Sequence, residues 1–557
     1  MIIDPITLEV VRGRLDVITE EMQFALIRSS YSNVVKEAAD ASTALFDLHG
    51  QTIAQASAIP LHLGVLVPAV QRLLVVFPPE TMREGDLYTL NDPHEGGTHL
   101  PDIIVTMPVF FEGHPVALTC AITHHQDVGG KTPGSIPTDA TEIFQEGLRL
   151  PPLKLYDAGT PNQTLLSILE RNVRFPGDLL GDLDAQVAAC RVGGRRLQEL
   201  LREYGESQTL ACVSALLDRS ERLTRAKIAE IPGGSYTFVD YLDNDGIDLE
   251  RRVPLQVNIT IQDSDVFIDF DGTSPQVKGP FNAAPSTALA AAIFVIRAVT
   301  DPQIPSNAGC YRPLHVRLPE GSLVNPSPPA ALNARTPTFN LIVDALLGAL
   351  AQAVPERIPA CSYDSFTTKF GGVDPSSGRA YVFSDIGCGG FGARPTMDGL
   401  DVFRSKGGNT LNSPVEAVEL DFPLRVHCYG LRVDSGGPGR HRGGLGSWKV
   451  FELLRGEATV THRGERYYTP PWGLARGAAG APSESFVLRG DGRREAIPSK
   501  REFTLRAGDQ VHLFSAGGGG YGDPRERSIE AVQADVLDGK VSVDAAIEQY
   551  DVHRGGS

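Results

Sequence analysis

His99, Asp102, His124 and His125 stand at the two ends of one short stretch, and their types and spacing fit them to hold a divalent metal. The stretch reads HLPD, then IIVTMPVFF, then EGHP, then VALTCAITHH. Two β-branched and aromatic runs around a glycine turn predict an antiparallel hairpin. With a three-residue loop, Glu112 to His114, Asp102 falls opposite His124; with a two-residue loop the register shifts by one. In both cases the histidine pair returns to the end where HLPD begins. Cross-strand Cβ atoms about 4.5–5.5 Å apart allow several side chains to converge on one ion. Two imidazoles and a carboxylate form the ligand set of a catalytic zinc or manganese. The competing reading is structural: an Asp that caps a turn after proline, and a His-His pair divided between solvent and core. The flanks NDPHEGGTHLPD and QDVGGKTPGS weigh toward a site, because rigid polar loops at the mouth of a sheet commonly carry function.

The elements that must position these residues are legible in outline. Leu8, Val11, Leu15, Ile18, Met22, Ala25 and Leu26 recur at helical spacing and predict one or two helices from residue 6 to about 38. TALFDLHGQTIAQ reads as a hairpin turned at His49 and Gly50, LGVLVPAVQRLLVVF as a helix begun or interrupted at Pro68, and GDLYTL as a strand leading into the histidine-rich loop. Asp40 falls at a helix-to-strand junction, where it can supply a fourth ligand from outside the hairpin. Residues 161 to about 230 are helical again, with charged outer faces. Near Pro232 the pattern changes to period two. After it come short strands, an Ala-rich helix near 285–298, a helix after NARTP, and two short helices at the end separated at Gly539. The expected fold class is therefore α+β: a helix-rich region 1–232 carrying the metal hairpin, and a β-rich region 233–557 closed by short helices.

A formal charge of −17 argues against a nucleic-acid or anionic-membrane surface, both of which would repel it. MIIDPITLEV lacks the pattern of a secretory signal, and no stretch is apolar for long enough to span a bilayer. Seven cysteines without CxxC spacing fit a reduced, cytoplasmic setting and offer no thiolate zinc cluster. GGKT at 129–132 resembles the end of a phosphate loop, but His125 stands where the loop needs a glycine. DYLDNDG fails as a calcium loop because Arg252 occupies the closing glutamate position. GGGGYGDP at 517–524 reads either as a close backbone approach to a ligand or subunit, or as a tight turn before the last helices.

NDPHEGGTHLPD, HHQDVGGKTPGSIP, the EGL at 146–148, DFDGTSPQVKGPFN, IPSNAGCYRPL, NARTP, LNSPVEAVELDFPLRV, DSGGPGRHRGGLG and GGGGYGDP together resemble the hydantoinase B/oxoprolinase family over nearly the whole chain. The resemblance implies a division of labour. A hydantoinase A-like partner with a kinase-like fold binds ATP and magnesium and phosphorylates an oxygen of the substrate or of bicarbonate, while this chain supplies a divalent metal centre, zinc first and manganese as the alternative. It implies Asp40, His99, Asp102 and His124 as ligands, although KEAADAS lacks the arginine that commonly accompanies the acidic residue. His125 and Asp127 become candidates for proton relay, and Asp92 and His94 for orienting the ligands. The implied reaction is the opening of a hydantoin, 5-oxoproline or lactam ring, in which a water acidified by the metal attacks the activated ring carbon. The implied assembly holds two copies of each subunit. A carboxylase of the acetone or acetophenone type is the rival enzyme reading, and a non-catalytic scaffold the rival of another class.

Overall fold

The computed structural model describes residues 3–404 and 406–551. Val11, Leu15, Ile18, Met22 and Leu26 line the buried face of helix α1 (Pro5–Ser29), whose first turn is capped by the Asp4 carboxylate on the Thr7 amide. A short α2 (Asn33–Lys36) leads into β1 (Ala41–Phe46), which pairs antiparallel with β2 (Thr52–Gln55). Helix α3 (Pro60–Val76) includes Pro68 and precedes β3 (Leu87–Leu90), β4 (Asp102–Phe111), β5 (His114–His124), β6 (Leu153–Asp157) and β7 (Thr160–Pro161). These strands form a seven-stranded sheet in the order β2-β1-β5-β4-β3-β6-β7. Helices α4 (Gln163–Asn172), α5 (Pro176–Tyr204) and α6 (Glu206–Ile228) follow.

The hairpin β4–β5 turns through Glu112 and Gly113, both at positive φ, with Phe111 opposite His114. This two-residue turn would by itself shift the register by one. A β-bulge at Val116 cancels the shift, because Phe110 pairs with Pro115 but Val109 pairs with Ala117. Asp102 consequently stands opposite His124.

Both faces of this sheet are covered, so β4 and β5 are buried along most of their length rather than at alternate residues. Ile103, Val105, Ala117 and Ala121 pack with α1 and α5, whereas Ile104, Leu118, Cys120 and Ile122 pack with Leu63, Leu66, Val70 and Leu73 of α3. Period-two geometry therefore assigns Asp102 and His124 to the α3 side.

The chain passes residue 232 in the connection from α6 to β8 (Gly234–Leu242). With β9 (Val253–Gln262), β10 (Asp265–Asp269) and β11 (Leu314–Arg317) this strand makes a four-stranded sheet, against which α7 (Pro285–Val299) and α8 (Thr336–Leu350) pack. That core also takes in Ile59, Leu61, Val65 and Ile136 from the earlier part of the chain. Strands β12 (Phe366–Val373), β13 (Ala380–Ile386), β16 (Glu457–Gly464) and β19 (Lys500–Arg506) form a third sheet. Helix α9 (Val415–Asp421) precedes β14 (Leu424–Leu431), which joins β15 (Ser447–Leu453), β20 (Gln510–Phe514), β17 (Glu484–Leu488) and β18 (Arg494–Ala496) in a fourth. Helices α10 (Ile529–Leu537) and α11 (Val543–Tyr550) close the described chain.

The fold is α+β, but the expected segregation of helices from sheets does not hold. The first region owns the largest sheet, and α7 and α8 sit deep in the second. The glycines of GGGGYGDP are likewise neither a ligand loop nor a loose turn. A Cβ on Gly517 would lie 1.8 Å from the Ser435 carbonyl oxygen, so this segment is packed backbone against backbone. Among the described residues no helix is long and apolar enough to cross a membrane.

Candidate metal centre

Three ligand atoms converge at the open end of the β4–β5 hairpin. His99 Nε2 lies 2.9 Å from Asp102 Oδ1, and His124 Nδ1 lies 3.1 Å from the same oxygen and 3.2 Å from His99 Nε2. Donors bonded to one tetrahedral ion at about 2.0–2.2 Å stand roughly 3.3–3.6 Å apart, so this cluster is close to the size a metal requires.

Protons cannot satisfy it as well as an ion can. His99 Nδ1 is 2.8 Å from the Asn333 carbonyl oxygen, which only accepts; Nδ1 therefore carries the ring proton and Nε2 presents its lone pair. Asn333 is itself pinned. Its amide and that of Leu332 donate to the Glu146 carboxylate at 2.8 Å, and its side-chain oxygen accepts from the Leu100 amide. Burial pushes Glu146 up to about 8.

The electrostatics favour neutral imidazoles around an ionised carboxylate. Burial pushes His62, His99 and His124 down to about 4, with Arg335 adding to the effect at His99 and His62. Burial opposes the charge on Asp102 too, but the neighbouring His99, His62 and Arg335 outweigh it and hold the carboxyl well below its usual range. Arg335 donates to Asp102 Oδ2 at 2.7 Å. Two neutral imidazoles and an ionised carboxylate facing one point fit a divalent cation.

The other expected residues divide. Asp40 borders the same cavity, and its backbone oxygen accepts from the His124 amide at 3.0 Å. Its side chain stands at the edge of the cluster, with Oδ1 3.5 Å from His62 Nε2 and the carboxyl raised by burial. His125 is not brought to the cluster: it faces α5, where its Nε2 lies 3.0 Å from Thr123 Oγ1 and 3.2 Å from Gln186 Oε1. Asp127 is spent on loop structure, accepting from the amides of Gly129, Gly134 and Arg174 and from the Arg174 guanidinium. Asp92 is held by Arg149 and caps the His94 amide, which shapes the loop leading to His99.

Sequence reasoning missed His62, Arg335, Lys369, Arg404 and Arg463, all of which border the cavity. Arg335 lies in NARTP, a segment already singled out, so a signal for it existed. Lys369 and Arg463 come from the third sheet and carry no spacing relation to the hairpin. A second cluster, Asp240, Asp344 and Cys361, is filled by the protein's own cations, since Arg466 bridges both carboxylates and Lys406 pairs with Asp344.

The sequence matches the family model described as hydantoinase B/oxoprolinase over residues 4–524. It is 36% identical over 567 residues to the caprolactamase subunit beta of Pseudomonas jessenii, covering 99% of this chain and 96% of that one. The structure is similar to the crystal structure of the ATP-dependent caprolactamase from Pseudomonas jessenii, with a TM-score of 0.93, 33% identity, and coverage of 100% of this chain and 97% of that chain. It also shares the fold of a nucleotide-free acetone carboxylase chain at a TM-score of 0.91 and 21% identity, covering 100% of this chain and 80% of that one.

Proposed function

The chain belongs to the hydantoinase B/oxoprolinase family and is an enzyme of its hydrolases, and on that premise we propose that it is the metal-bearing subunit of an ATP-dependent cyclic amidohydrolase. A kinase-like partner phosphorylates the amide oxygen of a hydantoin, 5-oxoproline or lactam ring, and this chain opens the activated ring. Two copies of each subunit make up the assembly. The observation that carries the reading is the convergence of His99, Asp102 and His124 within hydrogen-bonding distance, with the His99 tautomer fixed by the Asn333 carbonyl.

His99, Asp102 and His124, with Asp40 beside them, hold a divalent transition metal, zinc in the first instance and manganese as the alternative. When bound, such an ion polarises an oxygen and lowers the pKa of water toward about 7. The remaining work falls to the chain. Arg335 keeps Asp102 ionised and oriented. His62 borders the cavity with its Nε2 3.5 Å from Asp40 Oδ1, a position from which it can reach the proton of the attacking water. Burial excludes bulk water from the activated carbon. In the net change two waters are consumed: the ring C–N bond breaks, its nitrogen gains a proton, and its carbon gains one oxygen from each water to become the carboxylate. Phosphate leaves with the former amide oxygen. His125 and Asp127 contribute by fixing the strand end and the loop after it rather than by moving protons.

The test is co-expression with the partner, a screen of cyclic amides for ATP-dependent phosphate release, and elemental analysis of the purified chain. We expect about one equivalent of metal, and expect His99→Ala and His124→Ala to lose both metal and ring opening while the partner still binds ATP. Full turnover in a metal-free variant refutes the reading. Bicarbonate-dependent incorporation of labelled carbon into a stable product replaces it with a carboxylase.

A further inference from the structure

The cavity beside the three ligand atoms has a volume of about 70 Å³, room for roughly five water-sized groups. Its walls carry more positive charge than the cluster needs. Arg335 is committed to Asp102, Thr98 and Thr336. Lys369, Arg404 and Arg463 reach the cavity from β12, from the segment after Phe403 and from β16, and two carboxylates, Asp40 and Asp102, face these four cations. The histidines around them are neutral. Burial pushes Lys369 down to about 7, so near neutral pH the surplus is between one and two positive charges, and a divalent ion adds two more.

Several of the donors have nothing to bond. Arg463 is 5% exposed, and among the described residues it donates no side-chain hydrogen bond and joins no ion pair; its buried Nε is without a partner. Arg404 engages Tyr363, but its Nε and one terminal nitrogen are unsatisfied. The Thr410 hydroxyl, on the same wall, is unsatisfied as well. Lys369 Nζ has one bond, to the Gly134 carbonyl oxygen at 2.8 Å. Leaving buried donors unpaired is costly, and for a guanidinium more so than for a hydroxyl. The strain is visible in Arg463, which burial and then the like charges of Arg335 and Arg404 push down to about 9.

We propose that Lys369, Arg404 and Arg463, with Thr410, form a binding site for a phosphoryl dianion next to the metal cluster, and that this site seats the phosphoryl group carried by the activated substrate. Donors that enter from two strands and a loop surround a tetrahedral group with several acceptor oxygens. A planar monoanionic carboxylate needs only one guanidinium fork and would leave the surplus charge uncancelled. Arg404 also borders a second cavity of about 390 Å³, lined by Pro60, Phe294, Leu347, Phe391 and Phe403. The identity of the phosphoryl carrier rests on the hydrolase reading; the anion site does not.

The experiment is calorimetric titration of the purified chain with inorganic phosphate, with acetate as comparator. It is repeated on Arg404→Gln, Arg463→Gln, the charge-retaining Arg463→Lys and chelator-treated wild type. We expect one phosphate per chain and acetate at least tenfold weaker. Each Gln variant should bind phosphate at least tenfold more weakly with its metal content unchanged, and Arg463→Lys should fall between. Arg404, on a partly exposed segment, provides the variant if Arg463→Gln does not fold. Three outcomes overturn the proposal: no phosphate bound by wild type, acetate bound as tightly, or phosphate affinity that the Gln variants leave unchanged and chelation abolishes, which places the anion on the metal alone. Ring opening intact in a protein that does not bind phosphate removes this site and keeps the hydrolase reading. Phosphate bound as expected with no cyclic amide opened does the reverse.

Discussion

His99 illustrates how a single candidate ligand is prepared for the role proposed for it. Its ring is 2% exposed, its tautomer is set by the Asn333 carbonyl, and Asn333 is held by Glu146, a residue distant in sequence from both. Glu146→Ala would strand two buried amides at about 1–3 kcal/mol each, a loss readable as a lower urea midpoint. It should also weaken metal binding by about 10–100-fold in a chelator competition, the usual effect of removing an outer partner of a ligand. Glu146→Gln keeps one acceptor and should lose far less of both. Equal metal affinity in all three proteins would show that this chain of contacts does not tune the centre. The candidate ligands themselves were legible because HLPD and THH lie on one hairpin. Glu146 lies in the EGL segment already singled out, but its contact with Asn333 was not legible, since a buried carboxylate that organises a remote loop leaves no spacing relation to it.

At the scale of elements, the hairpin and helix α3 together decide which side chains face the cavity. The register was foreseeable to within one residue, and the bulge at Val116 settled it in a way that no count of loop residues reveals. Helix α3 brings His62 to the cluster, and its position depends on a close approach to α7. A Cβ on Gly64 would stand 2.5 Å from the Ala290 Cβ. Gly64→Ala should cost about 1–3 kcal/mol of stability through overpacking, measured by urea unfolding. Ala290→Gly in the same chain should restore part of it. A single Gly64→Ala variant as stable as wild type would mean that α3 and α7 separate freely, and His62 would then have no fixed place. Helix α3 was recognisable from its apolar run, yet its direction relative to the hairpin was not, because helical periodicity reports a face and not a partner.

For the whole molecule, the buried neutral histidines set the response to acid. His462 sits between Thr368 Oγ1 at 2.9 Å and the Tyr467 hydroxyl at 2.8 Å, and burial with Arg463 and Lys500 nearby pushes it down to about 3. Its folded-state value lies below the unfolded value of about 6.5, so the unfolded chain binds the proton first. The stability it contributes is complete above pH 6.5 and is lost as pH falls toward 3, at up to about 1.4 kcal/mol per pH unit. His462→Gln, which can bond both neighbours, should flatten the dependence of the urea midpoint between pH 6.5 and 4 by about one proton. An unchanged slope would mean that His462 is protonated in the folded protein.

Residue types and spacing by themselves determined the candidate donor set, the hairpin that carries it and the α+β class, because each of these is written in contacts between near neighbours along the chain. Only the tertiary structure decided that His124 faces the cluster while His125 faces α5, that His62 and Arg335 join it, and that unpaired cations from a distant sheet close the cavity. Those facts depend on which surfaces pack together when apolar area is buried, and a linear pattern does not specify that pairing.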